Sequence, residues 1–176
     1  MQDENPHTKR PPRIVPFQDM KPFYFITFNT FGRHRILNTS AVHEAFISFC
    51  RTAHEQYGVA VGRYVIMPDH VHLFVVMPPD VSLPRWVATL KNFLGKRIEV
   101  CSGVPVERQA QHSSAATRAA TQRPIWQRGF FDRLLRHGES YNQKWEYVRM
   151  NPVRATLCET PEQWEFQGEI MRIPFD

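Results

Sequence analysis

Two histidines, His70 and His72, are separated by a single valine in the middle of the chain. On a β-strand, residues i and i+2 project from the same face, so the two imidazoles would stand side by side. Such a pair can bind one divalent metal if a third ligand and room for substrate oxygens are available. The competing interpretation is structural, with one histidine in solvent and the other in the core. A tight turn at Pro68 and Asp69 fixes the start of this strand, which favours the metal site without deciding for it.

A second candidate group lies near the end of the chain, where Tyr147 and Asn151 are four residues apart. On a helix they share one face, one turn apart. The phenol can then lie beside a metal, and the amide oxygen of Asn151 can act as a neutral ligand suited to Mg²⁺ or Mn²⁺. The alternative is that Tyr147 packs in the core and Asn151 caps the helix. Tyr141 is a competing phenol, but it lies about 240° away around the same helix, so the two tyrosines cannot face one site together.

Composition limits the kind of protein that can carry these groups. The chain has 176 residues and a net charge of +5, which favours one domain with extensions and attraction to nucleic acid. No stretch approaches the ~20 apolar residues of a membrane helix, and the polar, acidic N-terminus does not resemble a secretory signal. The three cysteines are widely spaced, which excludes a CxxC metal site and a disulfide framework and fits idle thiols in a reducing cytoplasm.

Hydrophobic periodicity predicts seven elements in the order strand, helix, strand, strand, helix, strand, helix. The predicted strands are 23–30, 59–67, 71–77 and a region within 124–135, and the predicted helices are 40–57, 82–99 and 138–150. Residues 153–176 are predicted to be irregular. Thr39 or Asn38 is expected to cap the first helix, Gly58 to end it, and Gly129 to bend the fourth strand region.

The first six elements indicate an α+β fold, a ferredoxin-like or RRM-like antiparallel sheet with two helices on one face, followed by a C-terminal helix that carries Tyr147. The predicted organisation is a flexible N-terminal arm (1–22), a folded domain (23–157) with a mobile loop (102–123), and a C-terminal tail (158–176). Many functions occur on this fold, so the fold alone does not identify the activity.

Two longer motifs surround the candidate residues. Residues 65–73 read Val-Ile-Met-Pro-Asp-His-Val-His-Leu, and residues 144–155 read Lys-Trp-Glu-Tyr-Val-Arg-Met-Asn-Pro-Val-Arg-Ala. Together they resemble the HUH single-tyrosine transposases, and among these the REP-associated tyrosine transposases of bacteria. Residues 126–132 and 134–136 resemble the same family, and the resemblance spans about 23–157. Two long motifs in the right order are far more specific than two histidines alone.

The resemblance implies a metal-dependent enzyme that cuts and rejoins single-stranded DNA. It implies that His70, His72 and Asn151 bind Mg²⁺ or Mn²⁺, and that Tyr147 is the nucleophile that forms a 5′-phosphotyrosine. It also implies a hairpin DNA substrate with a short single-stranded guide, a location at the bacterial nucleoid in the cytoplasm, and no membrane partner. A monomer that uses its own Tyr147 is expected, with a dimer that exchanges the tyrosine helix as the alternative.

Basic and aromatic residues outside the two motifs are candidate DNA contacts, because arginine and lysine bind phosphates and aromatic rings stack on bases. For most of them a solvated or core position is the alternative. The candidates are Arg33, Arg35, Lys91, Arg97, Trp126, Arg128 and Arg133.

Three other functions remain open on the residues alone. A catalytically inactive relative would bind hairpin DNA without cleaving it, although such a protein has no reason to retain all four site residues. A metal-dependent hydrolase would use the histidines without covalent chemistry. An RRM-like RNA-binding protein would usually carry aromatic residues on the central strands, where this chain has histidines.

Overall fold

A five-stranded antiparallel sheet forms the centre of the protein, which we describe from a computed structural model over residues 21–102, 124–135 and 138–174. The strands are β1 (Phe23–Asn29), β2 (Ala60–Ile66), β3 (His70–Val76), β4 (Phe131–Leu135) and β5 (Gln167–Glu169). The helices are α1 (Ser40–Tyr57), α2 (Leu83–Ser102), α3 (Gly138–Arg149) and α4 (Asn151–Arg154). The strand order is β4-β1-β3-β2-β5, so the predicted ferredoxin-like arrangement of the first four strands is confirmed.

The sheet separates two hydrophobic cores, and the central strand β3 contributes side chains to both. Val71, Leu73 and Val75 are fully buried on the face that packs against α1 and α2. The next residues along the strand alternate to the other face, where Phe74 packs with side chains of α3. Two helices therefore cover one face, as the sequence predicted, and α3 covers part of the other.

Local sequence signals explain the limits of α1. Thr39 caps the helix, because its hydroxyl accepts a hydrogen bond from the Val42 backbone N–H. Gly58 follows the last turn with φ +67°, a left-handed conformation that glycine adopts without steric cost. In the described part of the chain, no helix is long and apolar enough to cross a lipid bilayer.

The C-terminal segment differs from the prediction. Residues 153–176 were expected to be irregular, but Gln167–Glu169 forms β5, which pairs antiparallel with β2. The prediction was wrong because this strand is short and polar, and its partners in the sheet are about 100 residues earlier in sequence. The Trp164 indole N–H also donates to the Ile66 carbonyl at 3.0 Å, which fixes the segment against β2.

Two other boundaries also shift. Helix α2 continues to Ser102, beyond the predicted end at 99. The fourth strand begins only at Phe131, because Gly129 has φ +76° and interrupts the extended chain. Before that bend, Trp126 makes a single bridge to Thr30. Residues 1–20 of the predicted arm and 103–123 of the predicted loop lie outside the described residues.

Candidate active site

The two predicted histidines lie next to each other on the sheet face that α3 partly covers. The His70 and His72 ring centroids are 4.7 Å apart and the rings are nearly perpendicular. The His72 ring stacks on Phe25 of the neighbouring strand, with centroids 5.6 Å apart and an interplanar angle of 18°. The expectation that both imidazoles project from one face of a strand is confirmed.

A hydrogen bond orients each imidazole through its Nδ1 atom. Asp69 Oδ1 lies 2.7 Å from His70 Nδ1, and Thr27 Oγ1 lies 2.7 Å from His72 Nδ1. The second contact follows from the sheet register, which sets Thr27 directly opposite His72. With Nδ1 engaged in both rings, the Nε2 atoms are the nitrogens left to act as metal ligands.

Burial keeps this histidine pair neutral. Desolvation, together with the smaller effect of the positive charges and the His70 ring nearby, lowers the pKa of His72 to about 3. Burial also lowers the pKa of His70, although the hydrogen bond and negative charge of Asp69 act in the opposite direction. Metal binding requires the neutral imidazole, so the environment favours the protonation state that a ligand needs.

Helix α3 presents its two tyrosines in opposite environments. Tyr141 is only 3% exposed and packs edge-on against Phe23 and Phe74, with ring centroids 5.1 and 4.9 Å away. Tyr147 is 61% exposed. The structure thus gives Tyr141 a core position and leaves Tyr147 as the accessible phenol of this helix.

Tyr147 and Asn151 lie on two different helices, whereas their four-residue spacing predicted that they share the face of one helix. Helix α3 ends at Arg149, and Asn151 is the first residue of the short helix α4, followed by Pro152. Proline lacks a backbone N–H and its ring clashes with the carbonyl four residues earlier, which explains why α3 does not continue through Pro152. The expected end of the helix at Asn151-Pro152 is therefore close to the observed one.

Arg154 connects these two residues across the break. Its guanidinium donates hydrogen bonds to the Tyr147 carbonyl and to Asn151 Oδ1. The same group lies over the Tyr147 ring, 4.2 Å from the centroid. Because an amide oxygen has two lone pairs, Asn151 Oδ1 retains one acceptor position while it is bound to Arg154.

Three cations surround the histidines and the exposed tyrosine. Lys144 Nζ lies 5.1 Å from the Phe25 centroid and 5.9 Å from the Tyr147 centroid. Arg33 reaches the beginning of β3, where its guanidinium is 3.3 Å from Asp69 Oδ2. Together with Arg154 they make this part of the sheet face electropositive, which suits a phosphate group.

The donor set fits a divalent metal in part. Two neutral imidazoles with oriented rings are suitable ligands, and their hydrogen-bonded partners match the usual second layer of a metal site. Within the described residues, no group of three or more His, Cys, Asp or Glu side chains could hold a metal. The third donor that the sequence suggested is the Asn151 amide, an oxygen ligand of the kind that Mg²⁺ and Mn²⁺ accept.

Two of the candidate DNA contacts have structural roles. Lys91 donates hydrogen bonds to the carbonyls of Gln127 and Gly129 at 2.7 and 2.9 Å. Trp126 donates from its indole N–H to the Lys91 carbonyl and packs edge-on against Phe28. These contacts hold the segment before β4 against α2, so both side chains have a structural role, and their contact with DNA stays a prediction.

The remaining candidates do not form one surface. Arg35, Arg97, Arg128 and Arg133 are all exposed. Arg97 is on α2, on the opposite side of the sheet from the histidines, whereas Arg133 pairs with Phe25 and shares the face of the histidines. Arg33 and Arg133 are therefore the candidates best placed near the site.

Several site residues were not predicted from the sequence. Thr27 was missed because its contact with His72 depends on strand register, which the sequence does not reveal. Lys144 and Arg154 lie within the 144–155 motif, so their position beside Tyr147 and Asn151 was an available signal.

Comparisons with known proteins agree with this arrangement. Residues 21–149 match the profile of the family described as "Transposase IS200 like", a match that includes both histidines and Tyr147 and ends before Asn151. The chain is 26% identical over 147 residues to a Haemophilus influenzae protein assigned provisionally to the REP-associated tyrosine transposases, covering 82% of this chain and 78% of that protein.

Two further relatives carry a related description. The Escherichia coli REP-associated tyrosine transposase is 22% identical over 108 residues, which cover 60% of this chain and 52% of that protein. A solved structure titled as a REP-associated tyrosine transposase bound to a REP hairpin has a TM-score of 0.58 at 15% identity, covering 88% of this chain and 90% of the other, which shows a shared fold. The predicted resemblance is confirmed, and the chain belongs to the IS200-like transposase family.

Proposed function

We propose that this transposase cuts and rejoins single-stranded DNA beside a hairpin, with Tyr147 as the nucleophile and a divalent metal held by His70, His72 and Asn151. The observation that carries the proposal is the pairing of two oriented, neutral imidazoles with one exposed phenol among three cations. A core role for these residues does not account for a tyrosine that is 61% exposed.

Cleavage needs a nucleophile in line with the scissile bond and compensation for the negative charge that accumulates on the phosphate. Tyr147 Oη attacks phosphorus, the bond from phosphorus to the 3′ oxygen breaks, and the proton lost by the phenol is balanced by the proton gained by the 3′ hydroxyl. Arg154 and Lys144, which both lie over the Tyr147 ring, are placed to bind oxygens of a phosphate group that reaches Tyr147.

Rejoining is the reverse of this step. The covalent link between tyrosine and the 5′ phosphate conserves the energy of the phosphodiester, so another 3′ hydroxyl can attack it and release Tyr147 without ATP. When bound, Mg²⁺ or Mn²⁺ would polarise the phosphoryl group and stabilise charge on the leaving oxygen. The protein residues orient that ion, since Thr27 and Asp69 fix the two imidazole rings.

Hairpin DNA is the substrate that we favour. The related protein of known structure is bound to a REP hairpin, and this chain carries a net charge of +5 with cations grouped at the site. Such a substrate implies action on the bacterial chromosome, in the cytoplasm. We retain the expectation of a monomer that uses its own Tyr147, with a dimer that exchanges α3 as the alternative.

The proposal is tested by covalent capture of labelled DNA. Hairpin oligonucleotides with single-stranded flanks, taken from repeats of the source genome, are incubated with the protein and Mn²⁺ or Mg²⁺ and separated on a denaturing gel. We expect a shifted protein–DNA band that requires metal and disappears in Tyr147→Phe. Tyr57→Phe is the matched control, because Tyr57 is equally exposed at 61% but ends α1 on the other side of the sheet.

The alternatives give different results in the same assay. Hairpin binding without a covalent band in the wild-type protein would favour the catalytically inactive binding protein. Metal-dependent cleavage that persists in Tyr147→Phe would favour a hydrolase. Preference for single-stranded RNA without cleavage would favour the RRM-like function. Each of these results contradicts the proposed role of Tyr147.

A further inference from the structure

Among the residues that the structure describes, the sheet face that carries the histidines is covered on one side and open on the other. The strand register aligns Phe131, Thr27, His72 and Val65 in one row across β4, β1, β3 and β2. At the β2 end, Val65 is 0% exposed and belongs to the same buried cluster as Trp164 of the C-terminal segment. At the β4 end, Phe131 is 56% exposed. A single strand that reaches the histidines therefore has its open approach over β4.

The position of Phe131 in this row is fixed by pairing on both sides of β1. Phe131 lies directly opposite Thr27, whose hydroxyl is 2.7 Å from His72 Nδ1. Neighbouring strands are about 4.8 Å apart, so Phe131 and His72 are separated by roughly 10 Å along the row. At about 3.4 Å per nucleotide of a stacked strand, this distance corresponds to about three nucleotides.

The chemistry around Phe131 suits a nucleotide better than an apolar partner. Arg133 lies two residues further along the same face of β4, opposite Phe25, and is exposed. Lys144 lies over the Phe25 ring and over the Tyr147 ring, with Nζ 5.1 and 5.9 Å from the two centroids. An exposed aromatic ring bordered by cations is the arrangement by which proteins hold single-stranded DNA, with the base on the ring and the phosphates on the basic side chains.

We infer that Phe131 stacks on a base of the single-stranded segment within about three nucleotides of the scissile phosphate, and that Arg133 binds the adjoining backbone. Phe131 is then a positioning residue that holds the strand so that the scissile phosphate reaches Tyr147. The inference rests on the proposed function, because it takes the histidine row as the position of the scissile phosphate.

The test uses hairpin oligonucleotides in which 2-aminopurine, a fluorescent adenine analogue, occupies successive positions of the single-stranded flanks. Binding is measured in the full chain carrying Tyr147→Phe, so that cleavage does not alter the substrate. We expect quenching at one or two positions near the cleavage site, because stacking on an aromatic ring quenches this base. Phe131→Ala should abolish that quenching and weaken binding about 5- to 100-fold.

Matched variants separate stacking from packing. Phe131→Leu keeps apolar bulk but has no aromatic face, so it should behave as Phe131→Ala, whereas Phe131→Trp should retain quenching and affinity. Leu134→Ala is the control on the same strand, since Leu134 is 40% exposed but points to the opposite face of the sheet. If the Tyr147→Phe protein shows the same affinity and quenching with and without the added Phe131→Ala or Phe131→Leu substitution, the inference is overturned.

Failure of this inference is distinguishable from failure of the proposed function. A covalent band that forms normally in Phe131→Ala, together with unchanged quenching, would leave the tyrosine chemistry intact and remove Phe131 from the substrate path. The opposite result is quenching that depends on Phe131 while protein with Tyr147 intact forms no covalent band. It would support DNA binding over Phe131 and contradict the cleavage proposal.

Discussion

Removal of the Thr27 hydroxyl tests whether this residue orients His72, one of the proposed metal ligands. Thr27→Val keeps a β-branched side chain of similar shape on β1 and deletes the oxygen that lies 2.7 Å from His72 Nδ1. If His72 binds the metal through Nε2, its Nδ1 carries the hydrogen and donates it to Thr27. Without that acceptor the imidazole loses its fixed tautomer and orientation.

Two independent considerations give the expected loss of Mn²⁺ affinity in Thr27→Val. A partly buried donor left without an acceptor costs about 1–3 kcal/mol, and His72 is sufficiently desolvated for its pKa to fall to about 3. Loss of a second-layer partner of a metal-bound histidine typically weakens metal affinity about 10- to 100-fold, which equals about 1.4–2.7 kcal/mol. The two ranges agree, so we expect a decrease in Mn²⁺ affinity within that interval.

Calorimetric titration of the metal-free protein with Mn²⁺ measures this change directly, and the metal concentration required for half-maximal covalent band formation should shift in parallel. Thr27→Ser is the matched control, because it retains the hydroxyl, and it should restore most of the affinity. Thermal unfolding of the three proteins verifies that each remains folded. Equal Mn²⁺ affinity in Thr27→Val and wild-type protein would refute the idea that Thr27 orients a ligand.

Four further predictions address other residues. Arg154→Ala should slow single-turnover adduct formation about two- to five-fold, since an exposed cation–π contact with Tyr147 is worth about 0.5–1 kcal/mol; an unchanged rate would contradict this role. Tyr141→Ala should lower the free energy of unfolding by about 3–5 kcal/mol in urea denaturation, because it empties a core position, while Tyr141→Phe should still form the adduct. Thr156→Gly should stabilise the protein by up to about 1 kcal/mol in the same assay, because a β-branched residue is strained at φ +55°. The metal-free protein should lose stability as the pH falls from about 6.5 towards 3, because His72 is protonated in the unfolded chain over this range but stays neutral in the folded protein. A free energy of unfolding, measured in urea, that does not change over this pH range would contradict the burial of His72.

The histidine motif was predictable because a strand has a period of two and the surrounding residues are strongly apolar. His70 and His72 alternate with Val71 and Leu73, which are fully buried, so the pattern required both imidazoles to face the other way. The order of the first four strands also followed from the alternation of strand and helix patterns. These features depend on local spacing, which the sequence contains.

The contacts that complete the site were less accessible to prediction. Thr27 and His72 are 45 residues apart, and only the register between β1 and β3 brings them together. A shift of one residue would have placed Thr27 on the other face of the sheet. The same dependence on register applies to Phe131, which the pairing of β4 with β1 places opposite Thr27.

Spacing alone did not reveal the interruption at the end of α3. Tyr147 and Asn151 were expected to share one helical face, but the helix ends at Arg149 before Pro152, and Arg154 connects the two residues.

Lys91 and Trp126 illustrate a second limitation, because the exposure of a side chain cannot be read from its residue type. Both are bound to the polypeptide between α2 and β4.

The most direct test of the central claim is to locate the DNA on the protein by mass spectrometry. Trypsin cleaves after Lys and Arg, so it separates Tyr141, in the peptide 137–144, from Tyr147, in the peptide 145–149. After covalent capture, nuclease treatment and trypsin digestion, we expect a nucleotide 5′-phosphate attached to the peptide 145–149. Attachment to any other peptide, or cleaved DNA with no modified peptide, would contradict the assignment of Tyr147 as the nucleophile.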